Sequence, residues 1–150
     1  MGIQLPGPFK MPSGIEIPFA WVRVFDNRAY VSGHGPQNTD GSPGGPFGKV
    51  GRSVTPEQAS QAARLATVSI LSSLKRALGD LDRISAWLKV DGMVSVAPGF
   101  TNTTNVMTAC SELLVELFGP EVGRHARTAI GVAQLPLDLP VVISAEVAFT

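Results

Sequence analysis

Residues 55–79, TPEQASQAARLATVSILSSLKRALG, decide the fold because they specify one long helix. Thr55 suits the N-cap, Pro56 suits the first helical turn, and Gln58 completes a capping box. Gly79 stands where a C-terminal cap belongs. Apolar residues recur at spacings of one, three or four and form a single face: Ala59, Ala62, Ala63, Ala66, Ile70, Leu74 and Leu78. The small residues in the first half of this face predict close packing against a sheet.

The segments on either side of this helix predict a small mixed sheet and a second helix. A β-rich hairpin precedes the helix, and a strand, a helix and two further strands follow it. The predicted strands are 19–25, 29–32, 84–96, 128–132 and 141–149, and the second helix is 105–118, ended by Gly119-Pro120. The order ββαβαββ predicts one α+β domain over residues 1–150, with an irregular, proline-rich lead-in over 1–18.

Two helices on one face of this sheet would leave the other face uncovered. The last predicted strand carries apolar side chains of both parities, with Val141 and Ile143 on one side and Val142 and Ala148 on the other. Strands of this kind need cover on both faces, so self-association through the open face is predicted.

The composition disfavours several classes of partner. The chain has 150 residues with 12 Lys and Arg against 12 Asp and Glu, so its formal net charge is zero. Nucleic acids and anionic membranes both favour basic surfaces, so neither is a predicted partner. No apolar run approaches the ~20 residues that span a bilayer. The N-terminus lacks the apolar core of a signal peptide, and a cytoplasmic location is therefore expected.

Residues suited to metal, phosphate or thiol chemistry are sparse. Cys110, His34 and His125 are far apart in sequence, so no metal site and no cofactor are predicted. Gly48-Lys49 lies in a glycine-rich loop, 33–51, but lacks the flanking residues of a P-loop. Cys110 is interpreted as a buried small apolar residue, and His125 as a surface or internally satisfied histidine.

Basic residues concentrate immediately before the predicted strand at 128–132. Residues 123–129 read GRHARTA in a chain that has few charges. The planar guanidinium of arginine matches a carboxylate in a bidentate manner, so an arginine at the start of a strand suits the capture of a small carboxylic acid. In the alternative interpretation, Arg124 and Arg127 form surface ion pairs with nearby acidic residues: Glu116, Glu121 or Asp138.

Four short stretches form a recognisable set between about residue 19 and the C-terminus. They are Tyr30-Val31-Ser32-Gly33, Gly79-Asp80-Leu81 with Leu88-Lys89-Val90, Glu116-Leu117-Phe118-Gly119, and Ala126-Arg127-Thr128 through Leu135-Pro136. The last stretch is the most specific because it places Ala-Arg before Leu-Pro and a closing strand. This set resembles the YjgF/RidA family, whose members are also described as reactive-intermediate deaminases and as endoribonuclease L-PSP-like proteins.

The resemblance implies a chorismate-mutase-like α+β fold, with a mixed sheet and two helices on one face. It also implies a homotrimer in which sheets pack around a central barrel and leave clefts between subunits. In the deaminase branch of the family, the matching arginine binds the carboxylate of a 2-imino or 2-enamino acid. Water attacks the imine carbon, and ammonia and a 2-oxo acid are released. Arg127 takes that position, and Ser32 and Gly33 would line the same cleft.

The chain departs from the pattern of the deaminase branch at several positions. Val142 stands where that branch carries a glutamate that positions or activates water, and valine cannot do this. Ser144 replaces a second acidic position, Ser111 stands where an asparagine is usual, and His34 replaces a glutamine. Because the reference pKa of histidine is about 6.5, His34 is hypothesised to orient or deprotonate water. The chain is therefore expected to belong to a divergent subgroup.

Three functions remain open at this point. Arg127 and His34 are the predicted catalytic residues, and the predicted substrate-binding residues are Arg127, Ser32, Gly33, Ser111 and Ser144. The first function is an imine deaminase-like hydrolase, and the second is a non-catalytic homotrimer that binds small carboxylic acids. The third, an endoribonuclease-like activity, is disfavoured because a neutral chain offers little to neutralise phosphates.

Overall fold

The long helix, α1, spans Pro56–Leu78 and begins with the predicted capping box. The computed structural model describes residues 2–150. The Gln58 backbone N–H donates to the Thr55 hydroxyl at 3.1 Å, and the Thr55 N–H donates to the Gln58 side chain at 2.9 Å. Gly79 ends the helix with a φ of 87°, which an L side chain rarely adopts. Every residue of the predicted apolar face is buried.

Five strands form one mixed sheet beside this helix. They are β1 (Val22–Phe25), β2 (Arg28–His34), β3 (Ile84–Ser95), β4 (Ala126–Val132) and β5 (Val141–Phe149), in the spatial order β1-β2-β5-β3-β4. The pair β3 and β4 is parallel and is connected by the second helix, α2 (Thr103–Val122), whereas the other pairs are antiparallel. The observed order ββαβαββ confirms the predicted α+β class.

The boundaries of four elements differ from the prediction by two residues or more. The fourth strand, β4, begins at Ala126 instead of residue 128 and therefore includes Arg127. The first strand begins at Val22 instead of residue 19, and β2 continues to His34. A register shift between Val31 and His34 marks a bulge in β2. The sequence did not predict this bulge, because the glycine in this stretch also suits a turn. In α2, Gly119 has φ 82° and ψ 169°, and a further helical turn begins at Pro120. The main helix therefore ends before Gly119, as the Gly-Pro pair predicts, and a separate short turn follows it within the α2 segment.

Both helices pack on one face of the sheet. Alternate residues of β5 on this face are all buried: Val141, Ile143, Ala145, Val147 and Phe149. On β3, a Cβ added at Gly92 would lie 2.4 Å from the Cε of Met107 in α2. The sheet backbone and α2 are therefore in direct contact, and the predicted one-sided packing is confirmed.

The opposite face of the sheet is open in the single chain. It carries the half-buried residues of β5: Val142, Ser144, Glu146 and Ala148. Two ion pairs lie on this face, between Arg28 and Glu146 at 2.8 Å and between Lys89 and Asp91 at 2.9 Å. Self-association through this face stays a prediction.

Residues 2–18 contain neither helix nor strand, and Met1 of the predicted lead-in lies outside the described residues. The lead-in runs along the glycine-rich loop, where Gly7 N–H donates to the Thr39 carbonyl at 3.0 Å. It also contacts α1, because the Ser72 hydroxyl donates to the Pro6 carbonyl at 2.5 Å. Within residues 2–150, no helix has the length and apolarity that crossing a membrane requires.

Candidate functional site

Arg127 lies near the start of β4, on the face of the sheet that the helices cover. The parallel register pairs it with Val90 of β3, which is buried. Its Nη1 donates to the Oγ of Ser111 in α2 at 3.0 Å, and its Nη2 lies 3.4 Å from the carbonyl oxygen of Thr104. The structure thus brings together Arg127 and Ser111, two of the residues predicted to bind substrate.

No carboxylate neutralises this guanidinium among residues 2–150. Both ion pairs of the described chain lie on the open face of the sheet, and neither includes Arg127 or Arg124. The alternative surface pairs, with Glu116, Glu121 or Asp138, are therefore not formed. Arginine carries five N–H donors, and Arg127 directs two of them at Ser111 and Thr104. The other donors are available to a carboxylate ligand.

His125 completes a chain of hydrogen bonds behind Arg127. Its Nδ1 lies 2.7 Å from the carbonyl oxygen of Gly123, and because a carbonyl only accepts, Nδ1 carries the proton in the neutral ring. The Nε2 atom then accepts from the Ser111 hydroxyl at 2.9 Å. His125 is internally satisfied, as one sequence interpretation held, but its partner is a predicted site residue. The position of His125 two residues before Arg127 was the available signal.

His34 lies at the end of β2, where the register pairs it with Ile143 and turns it toward α1. It is 3% exposed. Its Nδ1 donates to the Ser32 carbonyl at 2.5 Å, so that Nε2 accepts from the Ser73 hydroxyl at 2.7 Å. Burial lowers the pKa of His34, and the Arg76 guanidinium acts in the same direction against the opposing hydrogen bond to Ser32. Both ring nitrogens are engaged, which leaves no free lone pair for water.

An apolar cavity of about 390 Å³ lies beside His34, between the lead-in and the start of β5. Its walls come from the lead-in, from the end of β2 and the start of β5, and from the segment before β5. The apolar lining residues include Phe9, Met11, Ile15, Ile17, Phe19, Trp21, Leu137, Leu139 and Val142. Gly33 also lines it, and a Cβ there would lie 2.8 Å from Val142 Cγ1. The position expected to hold a glutamate in the deaminase branch is therefore part of an apolar wall.

The predicted site residues form two separate groups in one chain. The arginine group comprises Arg127, Ser111 and His125, and the cavity group comprises Gly33, His34 and Val142. Successive strand residues face opposite sides, so Arg127 faces the helices whereas Val142 faces the open side. One strand, β3, separates β4 from β5, which places them about 10 Å apart. Arg127 and His34 therefore do not share one site within a single chain.

The two remaining predicted residues are placed near the cavity group. The Ser32 hydroxyl donates to the Ala20 carbonyl at 2.7 Å and so holds the segment before β1. Ser144 lies on the open face, two residues from Val142, with Asp91 as its neighbour on β3. Neither contacts the arginine group within the chain.

Thiol and metal chemistry find little support in the described chain. Cys110 is 1% exposed, which confirms its interpretation as a buried small residue. Burial raises the pKa of its thiol to about 11. Residues 2–150 contain no cluster of three or more His, Cys, Asp or Glu side chains placed to hold a metal ion.

Comparison with known proteins identifies the family to which this fold belongs. Residues 45–146 match the family described as "YjgF/chorismate_mutase-like, putative endoribonuclease". The chain belongs to the YjgF/chorismate mutase-like family. The resemblance carried by the four sequence stretches is thereby confirmed, and so is the chorismate-mutase-like fold.

Individual proteins are similar to this chain over most of their length. Protein TCP17 of Trypanosoma cruzi is 42% identical over 142 residues, which are 89% of this chain and 88% of that protein. The protein Atu1372 of Agrobacterium tumefaciens is 37% identical, with a TM-score of 0.82 over 91% of this chain and 86% of that one. A "putative endoribonuclease" of Shewanella oneidensis is 26% identical, with a TM-score of 0.86 over 99% and 93% of the two chains.

Proposed function

We propose that three copies of this chain form a homotrimer with clefts between subunits, in which Arg127 binds the carboxylate of a small 2-imino or 2-oxo acid. The observation that carries this proposal is the guanidinium of the half-buried residue Arg127, which Ser111 and Thr104 orient and no carboxylate neutralises among the described residues. A cation without an acidic partner favours a ligand of opposite charge. A ligand carboxylate supplies that charge and matches the remaining donors in a bidentate manner.

The division of the predicted site into two groups supports a cleft built from two subunits. Arg127 lies on β4, which is an edge strand of the sheet. Ile130 on the same strand is 48% exposed on the open side. Edge strands present unpaired backbone groups, so a second copy docked here would cover them and bring its own cavity group toward Arg127.

Hydrolysis of a 2-imino acid is the reaction that this arrangement favours. With the carboxylate held at Arg127, water adds to the imine carbon and the C=N electron pair moves to nitrogen. The resulting carbinolamine expels ammonia and leaves a 2-oxo acid. Holding the substrate in this geometry lowers the entropic part of the barrier.

A second candidate is a trimer that binds small carboxylic acids without turnover. It is favoured by the apolar wall at Val142 and by the engagement of both His34 ring nitrogens. Neither residue offers a base to water in this arrangement. The family and the Shewanella protein are both described as putative endoribonucleases, so RNA cleavage is a third candidate activity. A net charge of zero disfavours it, because binding RNA requires basic residues that neutralise phosphates.

The discriminating experiment generates 2-imino acids in situ with an amino-acid oxidase and follows ammonia release. The wild-type chain is compared with Arg127→Ala and with Arg124→Ala, a matched control at an exposed neighbouring arginine. Acceleration that Arg127→Ala abolishes and Arg124→Ala retains supports the hydrolase. Thermal stabilisation by 2-oxo acids without acceleration supports the binding trimer. RNA cleavage that 2-oxo acids do not inhibit, with no binding of those acids, would overturn the proposal.

A further inference from the structure

We infer that Ser111 and His125 form a proton relay that serves hydrolysis beside Arg127. This inference rests on the proposed binding of a 2-imino acid at Arg127. It assigns to this pair the proton transfer that Val142 cannot perform and that the burial of His34 and its partner Ser73 prevents, since both are at most 5% exposed whereas Ser111 and His125 are half-buried.

Two hydrogen bonds at the Ser111 hydroxyl oxygen define the relay. The Ser111 Oγ lies 3.0 Å from Arg127 Nη1 and 2.9 Å from His125 Nε2. A serine hydroxyl has one proton and two lone pairs. With the neutral His125 ring, the proton points to Nε2 and one lone pair accepts from Arg127. The second lone pair is left for a water molecule, which places that water next to the carboxylate site.

The backbone holds His125 in the tautomer that the relay requires. The Gly123 carbonyl lies 2.7 Å from Nδ1, so Nε2 is the acceptor in the neutral ring. As in a catalytic triad, a third group orients the histidine that accepts the proton. Gly123 is fixed in turn, because its N–H donates to the Gly119 carbonyl at 2.9 Å. A Cβ added at Gly123 would lie 2.5 Å from the Leu114 carbonyl oxygen, which leaves no space for a side chain.

The interruption of α2 explains how His125 reaches Ser111. At Gly119 the backbone leaves helical geometry with a φ of 82°, and Pro120 begins the extra turn. That turn ends at Gly123, whose carbonyl receives the His125 ring. The Gly119-Pro120 pair, which in the sequence indicates only the end of a helix, thus also positions the turn that supports the relay.

The relay takes up one proton in the first half of the reaction and returns it in the second. Water oxygen forms a bond to the iminium carbon while the C=N electron pair moves to nitrogen. The proton lost by water passes to Ser111 Oγ as the Ser111 proton passes to His125 Nε2. In the second half, His125 returns that proton through Ser111 to the amino nitrogen, and the C–N bond breaks. Ammonia leaves with the bonding pair and takes up the remaining hydroxyl proton as the C=O bond forms, so the products are a 2-oxo acid and ammonium.

The test compares turnover with ligand binding in His125→Gln. Glutamine offers an oxygen that accepts from Ser111 but cannot take up a proton. We expect kcat for 2-imino acid hydrolysis to fall roughly 100-fold, the scale of general acid–base catalysis. The Kd of pyruvate, measured by titration calorimetry as a probe of the carboxylate site, stays unchanged. Arg124→Gln serves as the matched control, and Ser111→Ala provides a second variant that removes the relay at its other member.

The outcomes separate the relay from the proposed function. Loss of kcat with an unchanged pyruvate Kd in His125→Gln, with recovery of His125→Ala activity by added imidazole, supports the relay. Wild-type kcat in His125→Gln overturns it and leaves the hydrolase standing. A pyruvate Kd that weakens in parallel with kcat shows a merely structural role and also overturns it. A wild-type chain that binds pyruvate without turnover overturns the relay alone, whereas one that binds no 2-oxo acid contradicts the proposed function itself.

Discussion

Arg127 and Ser111 join β4 to α2 through a hydrogen bond of 3.0 Å from guanidinium to hydroxyl. The bond orients a cation without neutralising it, since serine is uncharged. Among residues 2–150 the guanidinium has no acidic partner, and this sets it apart from Arg28, which pairs with Glu146 at 2.8 Å. The contrast between the two arginines is the physical basis for assigning one to the surface and the other to a ligand.

Oligomerisation provides the first prediction. Ile130→Lys places a charge on the exposed, open side of the β4 edge strand, where a partner subunit would desolvate it. We expect the mass measured by size-exclusion chromatography with light scattering to fall from three subunits to one, and binding of 2-oxo acids to be lost. Lys75→Glu, on the exposed side of α1, is the control and retains the mass of the wild type. A trimer that persists in Ile130→Lys would contradict this interface.

His34 makes stability depend on pH. Its pKa is lowered in the native chain, so below its ordinary value of 6.5 the unfolded state binds more protons than the native state. Above pH 6.5, the lowered pKa of His34 makes its full contribution to the free energy of unfolding. This contribution is lost progressively as the pH falls through the native pKa. Urea titrations between pH 8 and pH 5 are expected to show a steeper loss of stability for the wild type than for His34→Gln.

If the free energies of unfolding of the wild type and His34→Gln fell equally as the pH was lowered, His34 would not contribute to the pH dependence of stability. The His34→Gln substitution is also expected to lower stability at neutral pH by roughly 1–3 kcal/mol, because a glutamine does not reproduce the two ring hydrogen bonds to Ser32 and Ser73 in this buried position. Binding of 2-oxo acids tests the sequence hypothesis for His34 separately. If His34 is only structural, the affinity for those acids does not change.

Gly33 and Val142 define the wall of the apolar cavity through close contact. A methyl group at Gly33 would lie 2.8 Å from Val142 Cγ1, closer than carbon atoms pack. Gly33→Ala is therefore expected to cost about 1–3 kcal/mol of unfolding free energy, as overpacked substitutions do. The double variant with Val142→Ala recovers part of this loss, because the second change removes the obstructing methyl groups. Additive losses in urea unfolding would show that the two residues are not coupled.

Cys110 is expected to be unreactive in the native chain. Burial raises the pKa of its thiol to about 11 and also blocks reagent access. Disulfide exchange requires the thiolate, so the reaction with an aromatic disulfide reagent at pH 8 should be very slow until denaturant is added. One thiol per chain then reacts. Rapid native labelling would show that α2 opens readily from the sheet.

Local patterns predicted the elements well, because each depends on neighbours in sequence. The apolar spacing from Ala59 to Leu78 specified α1, and its capping residues specified the first turn. The bulge before His34 escaped prediction, since a Gly within a β-rich run is equally suited to a turn. The walls contributed by the lead-in also escaped, because its prolines leave no periodicity that would indicate a packed segment.

The site was only partly predictable for a different reason. Arg127 and Ser111 could be named from the family resemblance, but sequence spacing contains no measure of distances across a sheet. The separation of Arg127 from His34 follows from the strand order, because β5 and β3 lie between β2 and β4. His125 was interpreted as an ordinary satisfied histidine because its contact with Ser111 depends on the backbone break at Gly119.

Titration calorimetry of pyruvate into wild-type, Arg127→Lys and Arg127→Ala chains tests the central claim most directly. If the guanidinium binds the ligand carboxylate with two hydrogen bonds, the wild type binds pyruvate. Arg127→Lys then binds more weakly because an ammonium cannot reproduce the planar fork, and Arg127→Ala shows no measurable binding. Arg124→Ala, measured in parallel, retains the affinity of the wild type. Equal affinity in wild-type and Arg127→Ala chains would contradict the assignment of Arg127 as the carboxylate-binding residue.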